Sequence, residues 1–474
     1  MYPLMGREEF ISFYKPLLNF TNDEWTRFIN TMESRLPSAL RITNTKFKNK
    51  IEIFFLKEKL ISKNKFFRDV YDTVHKGTSH KDFIINQTSV GHIQKQEIVS
   101  MLPVLLMGLK ENHSVLDMCA APGSKTKQLL EKASLVVAND CSSKRLNILI
   151  SETCKIPHAS YLVVKHDASA LPVFKTDFDR VLCDVPCSGD GTARKNPQIL
   201  NNWNIGSAAN LSNLQYRILK HAINFVKSDG LIIYSTCSLN PIENEQVVLK
   251  AIMQDDLEIV DLRKFIDHNI SKDFVMRDGI IIKDENGLRT NFEDLKKCIR
   301  IYPHDNDTGG FFIVGLKKKS VQEKDFRPKI CKNNFCEITD ECRSKLEKEY
   351  SLEKKTLICR GKNMNTIYET TPEILSTINN SKLNIMHVGY KIFEQCNLNL
   401  SGYRMKNVFN KNFDVEISGS EPIRAKMVYK EFRKGSVVVR LVDFDVLIGG
   451  FSYGNKISLY ISNNLQKALL DFFN

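Results

Sequence analysis

One stretch constrains the fold more than any other: Ser114-Val115-Leu116 running into Asp117-Met118-Cys119-Ala120-Ala121-Pro122-Gly123-Ser124-Lys125-Thr126. The short apolar run predicts a buried strand, and Lys125 to Lys132 predicts the start of a helix. A strand, a turn of small residues and a helix form a binding crevice, where backbone N–H groups at a helix N-terminus face an anionic or polar ligand. Ala120, Ala121 and Gly123 let a ligand approach the backbone, and Pro122 fixes the turn. The G-x-x-x-x-G-K-[ST] spacing is missing, so this is not a Walker loop. A lone turn of this kind is more often an ordinary connection; it gains meaning from the strands downstream.

Four more strands are predicted, alternating with helices. Leu135 to Asp140, Tyr161 to Asp167 and Phe178 to Asp184 each run into an acid, and Leu231 to Cys237 ends in a thiol. Helices are predicted after Ser142 or Ser143 and over about Ser207 to Val226. This alternation indicates an α/β fold with an open, mostly parallel sheet. Asp117, Asp140, Asp167 and Asp184 then share the carboxyl edge of the sheet, where ligands bind. Asp140, after the second strand, has the position of an acid that accepts bonds from ribose hydroxyls. Thr308 to Leu316 is a further buried strand.

Around this centre the chain changes character. Residues 1 to about 35 read as helical, and a strand begins near Leu36-Pro37-Ser38-Ala39-Leu40. Lysines interleaved with phenylalanines from Lys46 to Arg68 suit an RNA backbone and stacked bases, or equally a solvated amphipathic face. Lys317 to Lys355 reads as a charged linker with a short helix. It holds Cys331, Cys336 and Cys342, whose spacing fits free thiols better than zinc ligands. From about Thr356 a small β-rich barrel is expected, with strands over Ile385 to Phe393, Ser436 to Leu441, Val446 to Phe451 and Ile457 to Ile461. With 68 Lys and Arg against 55 Asp and Glu, the chain carries +13 and suits a polyanionic partner. No apolar run approaches the roughly 20 residues of a membrane span, and no signal peptide is evident. The 12 scattered cysteines read as reduced thiols of a cytosolic or nuclear protein.

Two segments turn this α/β unit into a candidate enzyme: Cys183-Asp184-Val185-Pro186-Cys187-Ser188-Gly189-Asp190-Gly191-Thr192 and Tyr234-Ser235-Thr236-Cys237-Ser238-Leu239-Asn240-Pro241. Each sets a cysteine just past a strand, on the edge that carries the acids. A single cysteine is more often a small buried apolar residue; two at one ligand edge reverse those odds.

These motifs resemble those of the Nop/Sun-domain RNA cytosine-5 methyltransferases. DMCAAPGSKT, CDVPCSGDGT and YSTCSLNPIENE carry the resemblance, while LPSALRIT, QKQEIVSMLP, RKNP and TGGFF are similar to the branch that modifies eukaryotic tRNA. It runs from about Glu9 to Leu316, with further similarity beyond. It implies a Rossmann-like S-adenosylmethionine-dependent methyltransferase sheet over residues 86–318. It also implies an N-terminal RNA-contacting α+β segment over 1–85, a linker over 319–355 and a PUA-like RNA-binding domain over 356–474. By matched motif, Cys119, Ala120, Ala121, Pro122, Gly123, Ser124, Lys125, Asp140, Asp167 and Asp184 would hold S-adenosylmethionine. Cys237 would be the nucleophile and Cys187 would assist release, with Lys125 and Asp184 beside the target base. No metal is implied. The expected partner is RNA, most simply tRNA, for a monomeric protein in the nucleus, with the nucleolus and the cytoplasm as alternatives. Two alternatives are a non-catalytic RNA-binding or ribosome-assembly scaffold and an enzyme acting on rRNA. A DNA cytosine-5 methyltransferase would instead use Cys187 of the Pro-Cys pair as nucleophile, which the Thr236-Cys237 motif argues against.

Overall fold

The computed structural model describes all residues except 1–4, 59–60, 74–78, 175, 283–291, 320–333, 351–354, 362–363, 397–402, 406–413 and 474. Its centre is a ten-stranded mixed sheet. Eight of its strands are β1 (Ser114–Asp117), β2 (Leu135–Asn139), β3 (Tyr161–Val164), β4 (Phe178–Asp184), β5 (Val226–Thr236), β6 (Ile299–Ile301), β7 (Phe311–Lys318) and β8 (Ile385–Val388). Their order across the sheet is β6-β7-β5-β4-β1-β2-β3-β8. β1 to β5 are mutually parallel, while β7 runs antiparallel to β5, and β6 to β7. Helices α1 (Ser124–Leu130), α2 (Ser143–Thr153), α3 (Ile205–Ala222) and α4 (Glu245–Gln254) connect or cover these strands.

The apolar runs are continuous because both faces of a parallel sheet are covered. Leu116, Val137, Leu162, Val181 and Ile232 pack into one core, and their sequence neighbours Val115, Val136, Val163, Leu182 and Ile233 into the other. This period of two fixes which face each strand residue serves. Strand order reverses at β1, with β2 on one side and β4 on the other. The crevice at that reversal is where the turn after β1 and the acid ending β4 meet.

The flanking regions differ from expectation in four ways. First, the aromatics of the Lys46–Arg68 region are core residues rather than stacking platforms: Phe47, Phe55, Phe66 and Phe67 are buried. Second, the N-terminal unit runs past residue 85, because Ile93–Lys95 is a strand of its four-stranded sheet, pairing with Ala39–Ile42. Third, the expected linker ends early. Phe335–Glu337 pairs with Thr356–Arg360, and the helix Asp340–Tyr350 buries Cys342, Leu346 and Tyr350 in the same unit. Cys336 and Cys342 are free thiols, and Cys331 lies outside the described residues. Fourth, the strand read over Ile385 to Phe393 is two. Gly389, at φ +54°, turns the chain, so that β8 joins the central sheet while Tyr390–Gln395 joins a C-terminal one. The C-terminal region is β-rich as expected, in two five-stranded sheets. Among the described residues no helix is long and apolar enough to cross a membrane.

Candidate active site

The turn after β1 is held from beneath by Asn139, which sequence reasoning missed. Its Nδ2 donates to the Met118 carbonyl (3.0 Å) and the His166 carbonyl (3.1 Å), and its Oδ1 accepts from His166 N (2.9 Å). Fully buried, it ties the turn after β1 to the one after β3. Gly123 stands at φ +109°, a conformation glycine adopts without penalty, and α1 begins at the next residue. Asp140 braces the turn, accepting from Ala121 N (3.2 Å) and Ser142 N (2.9 Å). Asp117 Oδ2 accepts from Thr126 Oγ1 at 2.8 Å, but its buried Oδ1 has no partner among the described residues. Burial pushes its carboxyl up to about 7, against the Thr126 hydrogen bond and aided by the Asp184 charge. Asp167 is exposed at the same edge and accepts from the Ser169 amide and hydroxyl, both at 2.8 Å.

Across the strand reversal, Lys125 Nζ donates to Asp184 Oδ2 at 2.7 Å and to Ser100 Oγ at 3.0 Å. Asp184 Oδ1 accepts from Ser235 Oγ at 2.8 Å. Burial alone would lower the Lys125 pKa, but the Asp184 carboxylate outweighs it and the ammonium is held charged.

Cys187 and Cys237 meet beside this pair, their sulfurs 3.3 Å apart. The Cys187 thiol is pushed well up, first by its hydrogen bond with Cys237 and then by burial, so it keeps its proton. The two loops are joined by Glu243, buried at 0% exposure. Its carboxylate accepts from Ser188 N (2.8 Å), Ser188 Oγ (2.5 Å), Ser238 Oγ (2.7 Å) and Gln215 Nε2 (2.9 Å). Asn244 bridges Thr236 Oγ1 (2.6 Å) and the Ser238 carbonyl (2.8 Å). Glu245 forms a buried bidentate pair with Arg300, whose third nitrogen donates to the Leu239 carbonyl at 2.7 Å. Glu243, Asn244 and Glu245 read in sequence as the polar opening of a helix. Nothing local signals that all three face inward, because their partners come from α3, β5, β6 and the turns after β4 and β5.

A second buried acid fixes the outer side of the site. Asp190 accepts from Leu239 N (2.7 Å), from Trp203 Nε1 (3.1 Å) and from the Tyr14 hydroxyl (2.5 Å). The N-terminal helix Met5–Leu18 is thereby tied to the cysteine loops. Gly191 has to be glycine, since a Cβ there would lie 2.5 Å from the Gly310 carbonyl oxygen and 2.8 Å from that of Cys237.

The predicted residues therefore fall into two clusters on one edge. Cys119 to Lys125 and Asp140 form the turn, with Asp167 at its rim; Lys125, Asp184, Cys187 and Cys237 converge at the strand reversal. Residues 104–317 match the family model described as 16S rRNA methyltransferase RsmB/F. The tRNA (cytosine(49)-C(5))-methyltransferase of Pyrococcus abyssi is 35% identical over 233 residues, 48% of this chain and 71% of that protein. The chain belongs to the RsmB/F, or Nop/Sun-domain, RNA methyltransferase family. Within that family, the multisite-specific tRNA:(cytosine-C(5))-methyltransferase of Saccharomyces cerevisiae is 35% identical over 376 residues, covering 66% of this chain and 55% of that protein. The chain spans about half the length of such curated relatives, 52% of the one from Drosophila melanogaster. The solved structure of NSun6 from Pyrococcus horikoshii, at 19% identity, has the same fold, with a TM-score of 0.51 over 66% of this chain and 98% of that one.

Proposed function

We propose that this chain transfers a methyl group from S-adenosylmethionine to carbon 5 of cytosine in RNA, and that the RNA is tRNA. The observation that carries the reading is the pair of sulfurs 3.3 Å apart beside the Lys125–Asp184 ion pair. The relatives named above as tRNA cytosine-5 methyltransferases favour tRNA over rRNA. The turn fits the cofactor by its chemistry. Asp117 with its unpartnered buried oxygen, Asp140 and the exposed Asp167 offer carboxyl oxygens to a ligand with a sulfonium, an ammonium and ribose hydroxyls. When bound, S-adenosylmethionine supplies an electrophilic methyl group.

The residues of the chain do the rest. Carbon 5 of cytosine becomes nucleophilic once the Cys237 sulfur adds to carbon 6. The protonated Cys187 thiol donates toward that sulfur, and the Lys125 ammonium lies within its electrostatic reach. Lys125 and Asp184 present a donor and an acceptor to the ring, which favours addition. After methylation the carbon 5 proton must leave so that the Cys237–carbon 6 bond can break. The group that most raises the Cys187 pKa is Cys237 itself. Once Cys237 is tied up as a thioether that influence is gone, so Cys187 ionises more readily and becomes the base, directly or through water. The target base must be unpaired or flipped to reach these atoms. Support for RNA comes from a cavity of about 540 Å³ between the N-terminal sheet and residues 268–271, where Lys48, Lys63, Lys65 and Arg68 outnumber Glu52 and Asp69. Cations so placed suit phosphodiesters.

The test is incubation with tRNA and S-adenosylmethionine, followed by bisulfite sequencing and denaturing electrophoresis. Cys237→Ala should bind RNA and methylate nothing. Cys187→Ala should accumulate a protein–RNA adduct that is lost in the double variant. The reverse pattern would swap the two cysteines, and a wild type without adduct or methylation would favour the scaffold reading.

A further inference from the structure

A second cavity, of about 200 Å³, opens beside the Cys187 loop. Ser188, Asn196, Gln198 and Asn202 line it, over Ile199 and Trp203. Its distance from the chemistry is bounded by Gly189. A Cβ built there would lie 3.9 Å from Cys237 Sγ and 4.0 Å from Ile199 Cδ1, so the cavity floor is within about 8 Å of the nucleophile. Successive bases lie from about 3.4 Å apart when stacked to roughly twice that in an extended strand. The cavity is therefore within reach of a base neighbouring the target position.

Its lining is chemically distinct from the rest of this basic chain. No charged side chain is among the lining residues, whereas the cavity on the N-terminal sheet is lined by four Lys or Arg and two acids. A phosphate would be poorly served here. Carboxamides offer a donor and an acceptor side by side, the arrangement that pairs with a base edge. The side-chain amides of Asn196 and Asn202 are exposed and make no hydrogen bond among the described residues. The floor beneath them is fixed: the Trp203 indole donates to Asp190, and Asp190 accepts from Leu239 N, two residues past Cys237. A volume of about 200 Å³ has room for a single base.

We infer that this cavity reads the base adjacent to the target cytosine, with Asn196 and Asn202 as the specificity-determining residues. The inference rests on the proposed RNA methyltransferase activity and adds to it a preference for one neighbouring base. The base that fits has a donor and an acceptor on one edge, as adenine has at its N6 and N7.

The experiment uses the tRNA transcript that the wild type methylates, with each base flanking the target cytosine replaced in turn. Single-turnover methylation is then measured for the wild type and for Asn196→Ala/Asn202→Ala. Both positions are exposed; Asn204, which caps α3 through Ser207 N, is left intact. At one flanking position the wild type should favour its best base over its worst about tenfold, a modest value for one bidentate contact. The double variant should lose most of that ratio by slowing on the favoured base alone. A wild type indifferent to both neighbours, an unchanged ratio in the variant, or equal slowing on every transcript overturns the inference. A wild type that methylates no RNA instead overturns the proposed function.

Discussion

Glu243 is the residue whose loss should be most informative, because it holds both cysteine loops without touching either sulfur. Its carboxylate accepts from two N–H donors, Ser188 N and Gln215 Nε2, and from two hydroxyls, Ser188 Oγ and Ser238 Oγ. In Glu243→Gln the remaining oxygen can still serve the N–H donors, and the new amide can face the hydroxyls, which rotate. Two charge-assisted bonds become neutral ones, a loss of about 1 kcal/mol each, or about 2 kcal/mol together. In Glu243→Ala the N–H donors stay fixed by the backbone and by Gln215, and neither finds an acceptor. Each unsatisfied donor costs about 1–3 kcal/mol, so about 4 kcal/mol is expected before any cavity is counted. Urea denaturation followed by tryptophan fluorescence reads both numbers. A second readout separates the charge from the scaffold. The Glu243 charge is one of the influences raising the Cys187 thiol, after its hydrogen bond with Cys237, burial and the Cys237 charge. Glu243→Gln should therefore shift iodoacetamide alkylation of Cys187, followed by peptide mass, toward lower pH. Both variants within about 0.5 kcal/mol of the wild type, with alkylation unmoved, would refute the reasoning.

Other perturbations test neighbouring parts of the site. Arg300→Met strands the fully buried Glu245 and should cost about 3–5 kcal/mol by chemical denaturation. Adding Glu245→Gln should recover a large part of it. Tyr14→Phe removes a 2.5 Å hydrogen bond to buried Asp190 and should cost about 1.5–3 kcal/mol. It should also slow methylation, because the same carboxylate positions Leu239 beside Cys237. Asp117 gives a pH signature. Its folded pKa, about 7, lies above its usual 3.8, so its contribution to stability is complete below about pH 4 and is lost as pH rises through 7. The cofactor-free protein should show that falling component in thermal melts between these values, and Asp117→Asn should remove it.

The legible part of the fold was the part with period and punctuation. β1 to β5 announced themselves as apolar runs ended by an acid or a thiol, because a sheet buried on both faces admits nothing polar until its edge. The cysteines were legible because each stands just past such a run. What stayed hidden depends on partners distant in sequence. Asn139 is the polar end of an apolar strand, where a side chain usually meets solvent, yet it is fully buried because residues 118 and 166 close over it. The phenylalanines between Phe47 and Phe67 alternate with lysines as an RNA-binding face would. The alternation cannot say which half faces solvent, and the core took the aromatic half. Gly389 lies between Val388 and Tyr390, which both favour strands. Only its positive φ, with the Glu369 carbonyl where a Cβ would go, reveals that the two sides enter different sheets.

That division bears on how the C-terminal region can be tested. Read from the sequence as a separate module over 356–474, it invites deletion. The structure argues against that experiment. β8 pairs with β3 and closes one edge of the central sheet, so deletion would bare the backbone of Leu162, Val163 and Val164. The second C-terminal sheet shares a core with the N-terminal sheet. Val415, Val437, Val439, Leu441, Ile457 and Leu459 pack with Leu40, Ile42, Phe47, Ile51 and Phe55. Gln87 Nε2, buried, donates to the Ala468 carbonyl at 2.7 Å. At about 1.5–3 kcal/mol for each large apolar side chain exposed, unburying those five N-terminal residues alone approaches the roughly 5–15 kcal/mol that holds a typical domain folded. A shortened chain that failed to bind tRNA would report its own unfolding. Charge substitution avoids this. Arg433 is exposed, and Lys430 and Lys434 flank it on the stretch entering the strand Gly435–Leu441. If these cations meet phosphates, Lys430→Ala, Arg433→Ala and Lys434→Ala together should weaken tRNA binding and reduce the salt slope by up to about 3, roughly one for each phosphate no longer neutralised. Thermal stability should stay within a few degrees of the wild type. An unchanged slope in a folded triple variant would move RNA recognition away from this face, to the N-terminal cavity and the active-site edge.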